Sequence, residues 1–166
     1  MDLKIIDNFL PEDEFEKIEK NLMGHMFPWF YTYKITESDK DQELPDFQYQ
    51  FCHIFFGDHQ ITSNFFPLLE PVLTKLNAKA LIRIKANCIP KTFEIVKHGF
   101  HTDMKNNRTA ILFINTNDGF TEFKFGKIVE SKRNRLIEFD SNLLHRGTTC
   151  TDKQTRVNIN FNFFKN

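Results

Sequence analysis

The chain has 166 residues, of which 40% are hydrophobic and 27% charged, which is typical of one globular domain. No apolar run approaches the roughly 18–20 residues that a membrane-spanning helix requires, and the start Met1-Asp2 lacks the basic residues of a signal peptide. The three cysteines are too few and too widely spaced for a disulfide framework or a CxxC zinc site. We therefore expect a single domain over 1–166, cytoplasmic and without a membrane partner.

The charge is zero overall but unevenly distributed. Residues 1–60 hold 13 acids and 5 bases, and residues 61–166 hold 9 acids and 17 bases. The simplest interpretation is that both parts fold into one body and their charges partly mix on its surface. The neutral total and the acidic first 60 residues argue against nucleic acid as a partner.

Two segments of the first half have helical periodicity. Residues 11–23 place apolar side chains at helical spacing, behind Pro11 and three acids that favour a helix start. Residues 63–76 carry a leucine-rich stripe, and Pro71 is expected to bend that helix.

From residue 80 the apolar period changes to two, which predicts strands. We expect eight short strands at 80–87, 92–103, 109–115, 121–125, 127–130, 135–139, 143–147 and 155–163. Their number and spacing predict a mainly β (α+β) fold. It would be a two-sheet jelly roll over 80–163, with the helices and strands of 1–79 flanking it.

His101, Asp103 and His145 are candidate metal ligands. Residues i and i+2 of a strand point to one side, so His101 and Asp103 would converge. This pair alone is common enough by chance to be a surface His near an acid. With His145, however, it makes the two-His, one-carboxylate triad of non-haem Fe(II) sites. Such a triad leaves positions open for a 2-oxo acid and O2, whereas a structural zinc site takes four protein ligands.

Arg156 lies on a strand whose alternation separates polar from apolar side chains. Asn158 and Asn160 share its face, and Val157, Ile159 and Phe161 share the other. An arginine binds a carboxylate with two parallel hydrogen bonds, so Arg156 could hold the C5 carboxylate of 2-oxoglutarate. The alternative is an exposed salt bridge, but the polar face indicates a lined cavity.

With these motifs in place, the chain resembles the Fe(II)/2-oxoglutarate-dependent oxygenases. It is most similar to the prolyl-4-hydroxylase-like branch, including small members encoded by marine phages. The resemblance covers nearly the whole chain and rests on segments 6–11, 83–87, 101–103, 109–119, 134–141, His145 and 156–160. It implies a double-stranded β-helix, the jelly roll already predicted.

The resemblance implies that Fe(II) is bound by His101, Asp103 and His145, that 2-oxoglutarate is bound by Arg156, and that O2 is the oxidant. Many prolyl-hydroxylase-like members have a Tyr hydroxyl that also holds the C5 carboxylate, and here that position is Phe113. Thr109 or Asn87 could substitute for it. We expect Asn87, Thr109, Asn158 and Asn160 to help bind the cofactor.

Several interpretations remain open. His98 is three residues from His101, which on a strand would turn it away, so we expect a rim or surface position. The leading function is a dioxygenase that hydroxylates a prolyl peptide or small metabolite, with release of succinate and CO2. The alternatives are a non-catalytic jelly-roll module that binds metal or a small ligand, a zinc hydrolase, and an oxygenase of nucleotides or nucleic-acid bases.

Overall fold

A computed structural model describes residues 2–33 and 49–165 of the chain. The elements in chain order are β1 (Lys4–Ile6), α1 (Glu12–Leu22), β2 (Phe30–Thr32), β3 (Gln50–Gly57), β4 (Gln60–Ile61), a 3-10 turn (Phe66–Leu69), α2 (Glu70–Leu76), β5 (Ala80–Pro90), β6 (Arg108–Phe113), β7 (Phe120–Phe123), β8 (Ile128–Glu130), β9 (Arg135–Asp140), β10 (His145–Gly147) and β11 (Thr155–Phe164). No helix among these residues is long and apolar enough to cross a membrane.

The strands form a large and a small antiparallel sheet. The large sheet has the order β1-β9-β6-β11-β5-β3-β2, with β4 added to β3, and the small sheet has the order β10-β7-β8. The longest pairing joins β11 to β5 and sets Asn158 opposite Asn87 and Arg156 opposite Ile89. The predicted mainly β jelly roll with helices packed outside it is confirmed.

Strict alternation gives the large sheet two different faces. On β5 and β11 the side chains of Ile84, Ala86, Val157 and Ile159 are buried in the main apolar core together with the helices. The intervening polar side chains line a cavity on the opposite face. Because neighbouring side chains of a strand point to opposite faces, one sequence pattern builds the core and the cavity together.

The two helices cover the apolar face of the large sheet. Helix α1 buries Phe15, Ile18 and Leu22, as its spacing predicts, and it follows Pro11. The second predicted helix is shorter than expected. Residues 66–69 form a 3-10 turn and α2 begins at Glu70, with Pro71 in its first turn. Proline lacks the N–H that the helix interior requires, so it is accommodated where no such bond is made.

A smaller core lies between the two sheets. It contains Ile111, Phe113, Phe123, Val129, Ile137 and Phe139. The hairpin of β7 and β8 turns at Gly126, whose φ of 95° is in the left-handed region that glycine adopts without strain. This agrees with the predicted strands 121–125 and 127–130, which leave Gly126 between them.

The predicted strand at 92–103 is wrong. This segment makes only two isolated bridges, Lys97 to Thr148 and His101 to His145. Between the two bridges the segment advances four residues, from 97 to 101, while its partner advances three, from 145 to 148. The segment therefore carries one extra residue, as in a β-bulge. The first half of the chain also contributes more strand than its helical patterns indicated, because β1 and β3 join the large sheet.

Ion pairs connect the acidic first part of the chain to the basic second part. Arg133 binds Glu12 and Glu19, and Asp7 binds Lys132 and Arg135. The expected mixing of charges is therefore seen at this surface. It neutralises bases close to β1 and α1.

Candidate metal centre and cavity

The segment before β6 holds two candidate ligands, and β10 holds the third. His101 and His145 exchange two backbone hydrogen bonds, with N to O distances of 2.9 and 3.0 Å. One ligand atom from each of His101, Asp103 and His145 lies within 4.8 Å of the others. In the described ranges this is the only such cluster of His, Cys, Asp or Glu side chains.

Both imidazoles are held in the orientation that metal binding requires. Nδ1 of His101 lies 3.1 Å from the carbonyl oxygen of Gly99, and Nδ1 of His145 lies 2.9 Å from that of Leu143. A carbonyl only accepts, so each Nδ1 carries the proton and donates. Nε2 is therefore the nitrogen of each ring that would bind a metal, a common arrangement around bound ions.

The carboxylate of Asp103 is oriented by two neighbours. Its Oδ2 accepts hydrogen bonds from Thr109 Oγ1 at 3.0 Å and from Asn162 Nδ2 at 3.1 Å. Oδ1 lies 3.8 Å from His101 Nε2. Burial acts to raise the pKa of Asp103, but His145, Asn162, His101 and Arg83 together hold it below its usual value. The group is therefore ionised, as a metal ligand must be.

His145 is buried and neutral. Burial lowers its pKa, and the effect of Asp103 in the opposite direction does not cancel the shift. Two imidazoles and one carboxylate are a donor set that fits Fe(II), and three protein ligands leave further coordination positions for other molecules. The residues present therefore fit the implied iron.

Arg156 is a buried cation. It is 2% exposed, its Nε donates to Ser131 Oγ at 2.8 Å, and its Nη2 donates to Thr121 Oγ1 at 3.2 Å. The guanidinium carbon lies 5.6 Å from the centroid of the Phe113 ring. Burial lowers the pKa of Arg156 to about 10, so the group stays charged at neutral pH. Within the described residues, no carboxylate forms an ion pair with it. A buried charge without a partner is costly and suits an anionic ligand.

The candidate metal ligands and Arg156 line one cavity of about 480 Å³. This volume lies within the range of small-molecule sites. Asn87, Asn158 and Asn160 also line it. Asn87 Nδ2 donates to Asn158 Oδ1 at 3.0 Å, and Asn87 Oδ1 is buried with no hydrogen-bond partner among the described residues. The polar face predicted for β11 therefore lines a cavity and is not an exposed surface.

Thr109 lies at the Asp103 end of this region. It pairs with Asn162 across β6 and β11, six strand positions from Arg156. At about 3.3 Å per residue the two are roughly 20 Å apart along the strand. The hydroxyl of Thr109 donates to Asp103, so it does not lie beside Arg156 as predicted.

His98 does not lie at the rim or surface, where its spacing from His101 predicted it. It is 3% exposed and lines the same cavity as His101. The extra residue between the two bridges reverses the alternation, so an odd spacing no longer separates the side chains. Burial, together with the charges of Arg156 and His101, lowers the pKa of His98 to about 3. Its Nε2 is buried without a hydrogen-bond partner among the described residues. No signal in the sequence indicated the bulge.

Comparisons with solved structures identify the fold. A 2OG-Fe(II) oxygenase-family oxidoreductase from Burkholderia pseudomallei matches with a TM-score of 0.68 and 10% identity, over 99% of this chain and 85% of that one. A prolyl hydroxylase from Trichoplax adhaerens, in complex with a hypoxia inducible factor peptide, matches with a TM-score of 0.62 and 14% identity, over 98% and 83%. A Pseudomonas putida prolyl-4-hydroxylase matches with a TM-score of 0.60 and 12% identity, over 98% and 92%.

No protein-family model matches the chain, and no curated protein matches it in sequence. By its structural matches, the chain has the fold of the 2OG-Fe(II) oxygenases, and it carries a candidate HxD…H iron site within that fold. The predicted likeness to phage-encoded members stays a prediction.

Proposed function

We propose that the chain is an Fe(II)- and 2-oxoglutarate-dependent dioxygenase. It would hydroxylate a C–H bond of a prolyl peptide or small metabolite, with O2 as oxidant and succinate and CO2 as products. The observation that carries this proposal is the cluster of His101, Asp103 and His145 in the same cavity as Arg156, a buried cation with no ion pair within the described residues.

His101, Asp103 and His145 would hold the iron, which supplies O2 activation when bound. Thr109 and Asn162 orient the carboxylate of Asp103 by donating to Oδ2. This leaves Oδ1 as the oxygen directed to the histidines. We therefore assign Thr109 to positioning Asp103, and not to binding the cosubstrate.

Arg156 would bind the C5 carboxylate of 2-oxoglutarate through its guanidinium N–H groups. Ser131 and Thr121 accept from Nε and Nη2 and fix the plane of the group. His98 and Asn87 offer buried polar atoms that lack partners among the described residues. Together with Asn158 and Asn160, they are the side chains that would bind the rest of the cosubstrate.

The experiment is succinate release from 2-oxoglutarate with Fe(II) and ascorbate under air. The candidate substrates are prolyl peptides, free amino acids, nucleotides and single-stranded DNA. We expect stimulation by a peptide or small molecule, with turnover that is insensitive to salt. Stimulation by DNA alone, with steep loss between low and moderate salt, would instead identify a nucleic-acid oxygenase. Metal binding without any iron-dependent succinate would identify a non-catalytic module.

A further inference from the structure

Most basic side chains near the site are neutralised by acids. Arg146 Nη2 lies 2.9 Å from Glu122, and Arg108 binds Glu138 at 3.2 Å and Asp2 at 3.0 Å. These pairs remove charge that the sequence alone would assign to the cavity. Arg83 and Lys85 differ from them, because both line the cavity and, among residues 2–33 and 49–165, the only acid paired with either is Asp103, at 4.0 Å from Arg83.

Arg83 has spare hydrogen-bonding capacity, and its ion pair with Asp103 is long. Its Nη2 donates to Asn162 Oδ1 at a long 3.3 Å and lies 4.0 Å from Asp103 Oδ1. Its Nε is buried without a partner among the described residues. If Oδ1 of Asp103 binds the metal, the metal competes with Arg83 for this oxygen. Asp103 is therefore a poor permanent partner for Arg83.

Lys85 is two residues further along β5 and faces the same side. Burial, and next the charge of Arg83, lowers its pKa. Two like charges side by side on a strand face repel each other. An anion between them would remove both the repulsion and part of the desolvation cost.

This pair is separate from the carboxylate site at Arg156. Arg156 pairs with Ile89, so Lys85 is four and Arg83 six positions away along β5. These separations correspond to about 13 and 20 Å at 3.3 Å per residue. The C5 carboxylate of 2-oxoglutarate, held at Arg156, would contact neither of these basic side chains. Arg83 and Lys85 are therefore available to another anion while 2-oxoglutarate is bound.

A second cavity of about 640 Å³ adjoins the first at Arg83 and Met104, which line both. Its other lining residues include the apolar side chains Phe30, Phe65 and Ile82. Polar side chains such as His53 and Asp58 also line it. A cavity with an apolar part, beside a basic pair and the candidate iron site, has room for a molecule with an apolar part and an acidic group.

We propose that Arg83 and Lys85 bind the acidic group of the substrate, and that the substrate is a small molecule carrying a carboxylate or phosphate next to an apolar group. The acid lies between the two basic side chains beside Asp103, and the apolar group occupies the adjoining cavity. This inference rests on the proposed function and narrows its substrate class from peptides or metabolites to small acids.

The test is calorimetric binding to the full chain loaded with Mn(II), which replaces Fe(II) without turnover, and saturated with 2-oxoglutarate. The probes are phenylacetate, phenyl phosphate and the neutral phenylacetamide. We expect at least one acid to bind about tenfold or more tightly than the amide, and the tighter acid identifies the preferred group. Arg83→Gln and Lys85→Gln should each weaken acid binding about 10–150-fold, the usual effect of losing a charged hydrogen-bond partner.

Lys91→Gln removes one exposed positive charge just beyond β5 and is the matched control, which should bind the acids as the wild type does. Arg83→Lys and Lys85→Arg should retain acid binding, which separates loss of charge from loss of fold. Equal binding of acids and amide, no acid binding, or equal losses in Lys91→Gln would overturn the proposal.

Affinities for Mn(II) and 2-oxoglutarate are measured on the same samples. If Mn(II) and 2-oxoglutarate do not bind while the acid preference and its dependence on Arg83 persist, the oxygenase assignment is wrong and the anion site stands. If both bind normally without an acid preference, the anion site is wrong and the oxygenase assignment stands.

Discussion

His101 and His145 face each other across a backbone bridge, with ring centroids 4.6 Å apart. Each ring is also fixed by a hydrogen bond from its Nδ1 to a carbonyl two residues earlier in the chain. The two imidazoles are thus held together by the main chain itself. A metal can bind to them in the folded chain without reorganising the two segments. Because the unfolded chain lacks this arrangement, metal binding should stabilise the fold.

The first prediction concerns this stabilisation. At a metal concentration 100 times Kd, binding contributes about 2.7 kcal/mol to the free energy of unfolding. For a domain of this size that raises Tm by roughly 5–10 °C. His101→Ala, Asp103→Ala and His145→Ala should each lose most of the shift produced by Fe(II) or Mn(II) in thermal melts. His25→Ala, at an exposed histidine, should keep it. Wild-type shifts in all three ligand variants would show that the cluster is not the metal site.

A second prediction concerns Thr109. Because its hydroxyl donates to Asp103 Oδ2, Thr109→Val should weaken metal binding about 10–100-fold, as is typical for groups that orient ligands. The affinity for 2-oxoglutarate at saturating metal should stay unchanged, and Thr109→Ser should restore metal binding. If Thr109→Val instead weakens 2-oxoglutarate and spares the metal, the role first predicted from the sequence is the correct one.

Replacing Arg156 should have different effects on the stability of the fold and on the affinity for 2-oxoglutarate. Arg156→Met replaces a buried charge that has no acidic partner among the described residues with an apolar side chain of similar length. We expect Tm of the ligand-free protein to be maintained or raised, because the desolvation cost is removed. The Kd of 2-oxoglutarate should rise about 10–150-fold with metal affinity nearly unchanged. Unchanged 2-oxoglutarate affinity in calorimetry would remove Arg156 from the site.

Phe113 offers a gain-of-binding test. The centroid of its ring lies 5.6 Å from the Arg156 guanidinium carbon, and a tyrosine there would add a hydroxyl near the guanidinium. A neutral hydrogen bond contributes about 0.5–1.5 kcal/mol, so Phe113→Tyr should leave 2-oxoglutarate binding intact or tighten it by up to about tenfold. Phe113→Leu is the control without a hydroxyl. A marked loss of affinity in Phe113→Tyr would mean that the ring edge faces a space too small for the hydroxyl.

The ion pairs of Asp7 give a pH-dependent prediction. Hydrogen bonds from Arg135 and Lys132 hold the pKa of Asp7 well below its ordinary value of 3.8. A carboxyl with a lowered folded-state pKa stabilises the protein above its unfolded pKa and loses that effect as pH falls. Asp7→Asn should therefore lower Tm at pH 7 by about 1–4 °C, since exposed pairs contribute about 0.2–1 kcal/mol. The difference from wild type should shrink as pH falls below about 4. A pH-independent difference would mean that Asp7 acts through packing.

The sequence predicted those features that follow from alternation. Arg156, Asn158 and Asn160 line the cavity because β11 is a regular strand over this stretch. The segment before His101 lies outside that rule. One extra residue against β10 turns His98 into the cavity, and nothing in its composition marks that insertion.

Long-range pairing also lies beyond what periodicity can show. Thr109 is buried, as the strand pattern allows, but its distance from Arg156 depends on how β6 aligns with β11. Likewise, periodicity does not show which bases the early acids reach. Asp7 pairs with Lys132 and Arg135, and Glu19 pairs with Arg133.

The most direct test of the central claim is an anaerobic calorimetric titration of 2-oxoglutarate into the full chain with and without Fe(II). Our account predicts saturable binding that Fe(II) strengthens and that Asp103→Ala or Arg156→Met weakens. Binding of equal strength with and without Fe(II), in wild type and in both variants, would contradict the assignment of this cavity as an Fe(II)/2-oxoglutarate site.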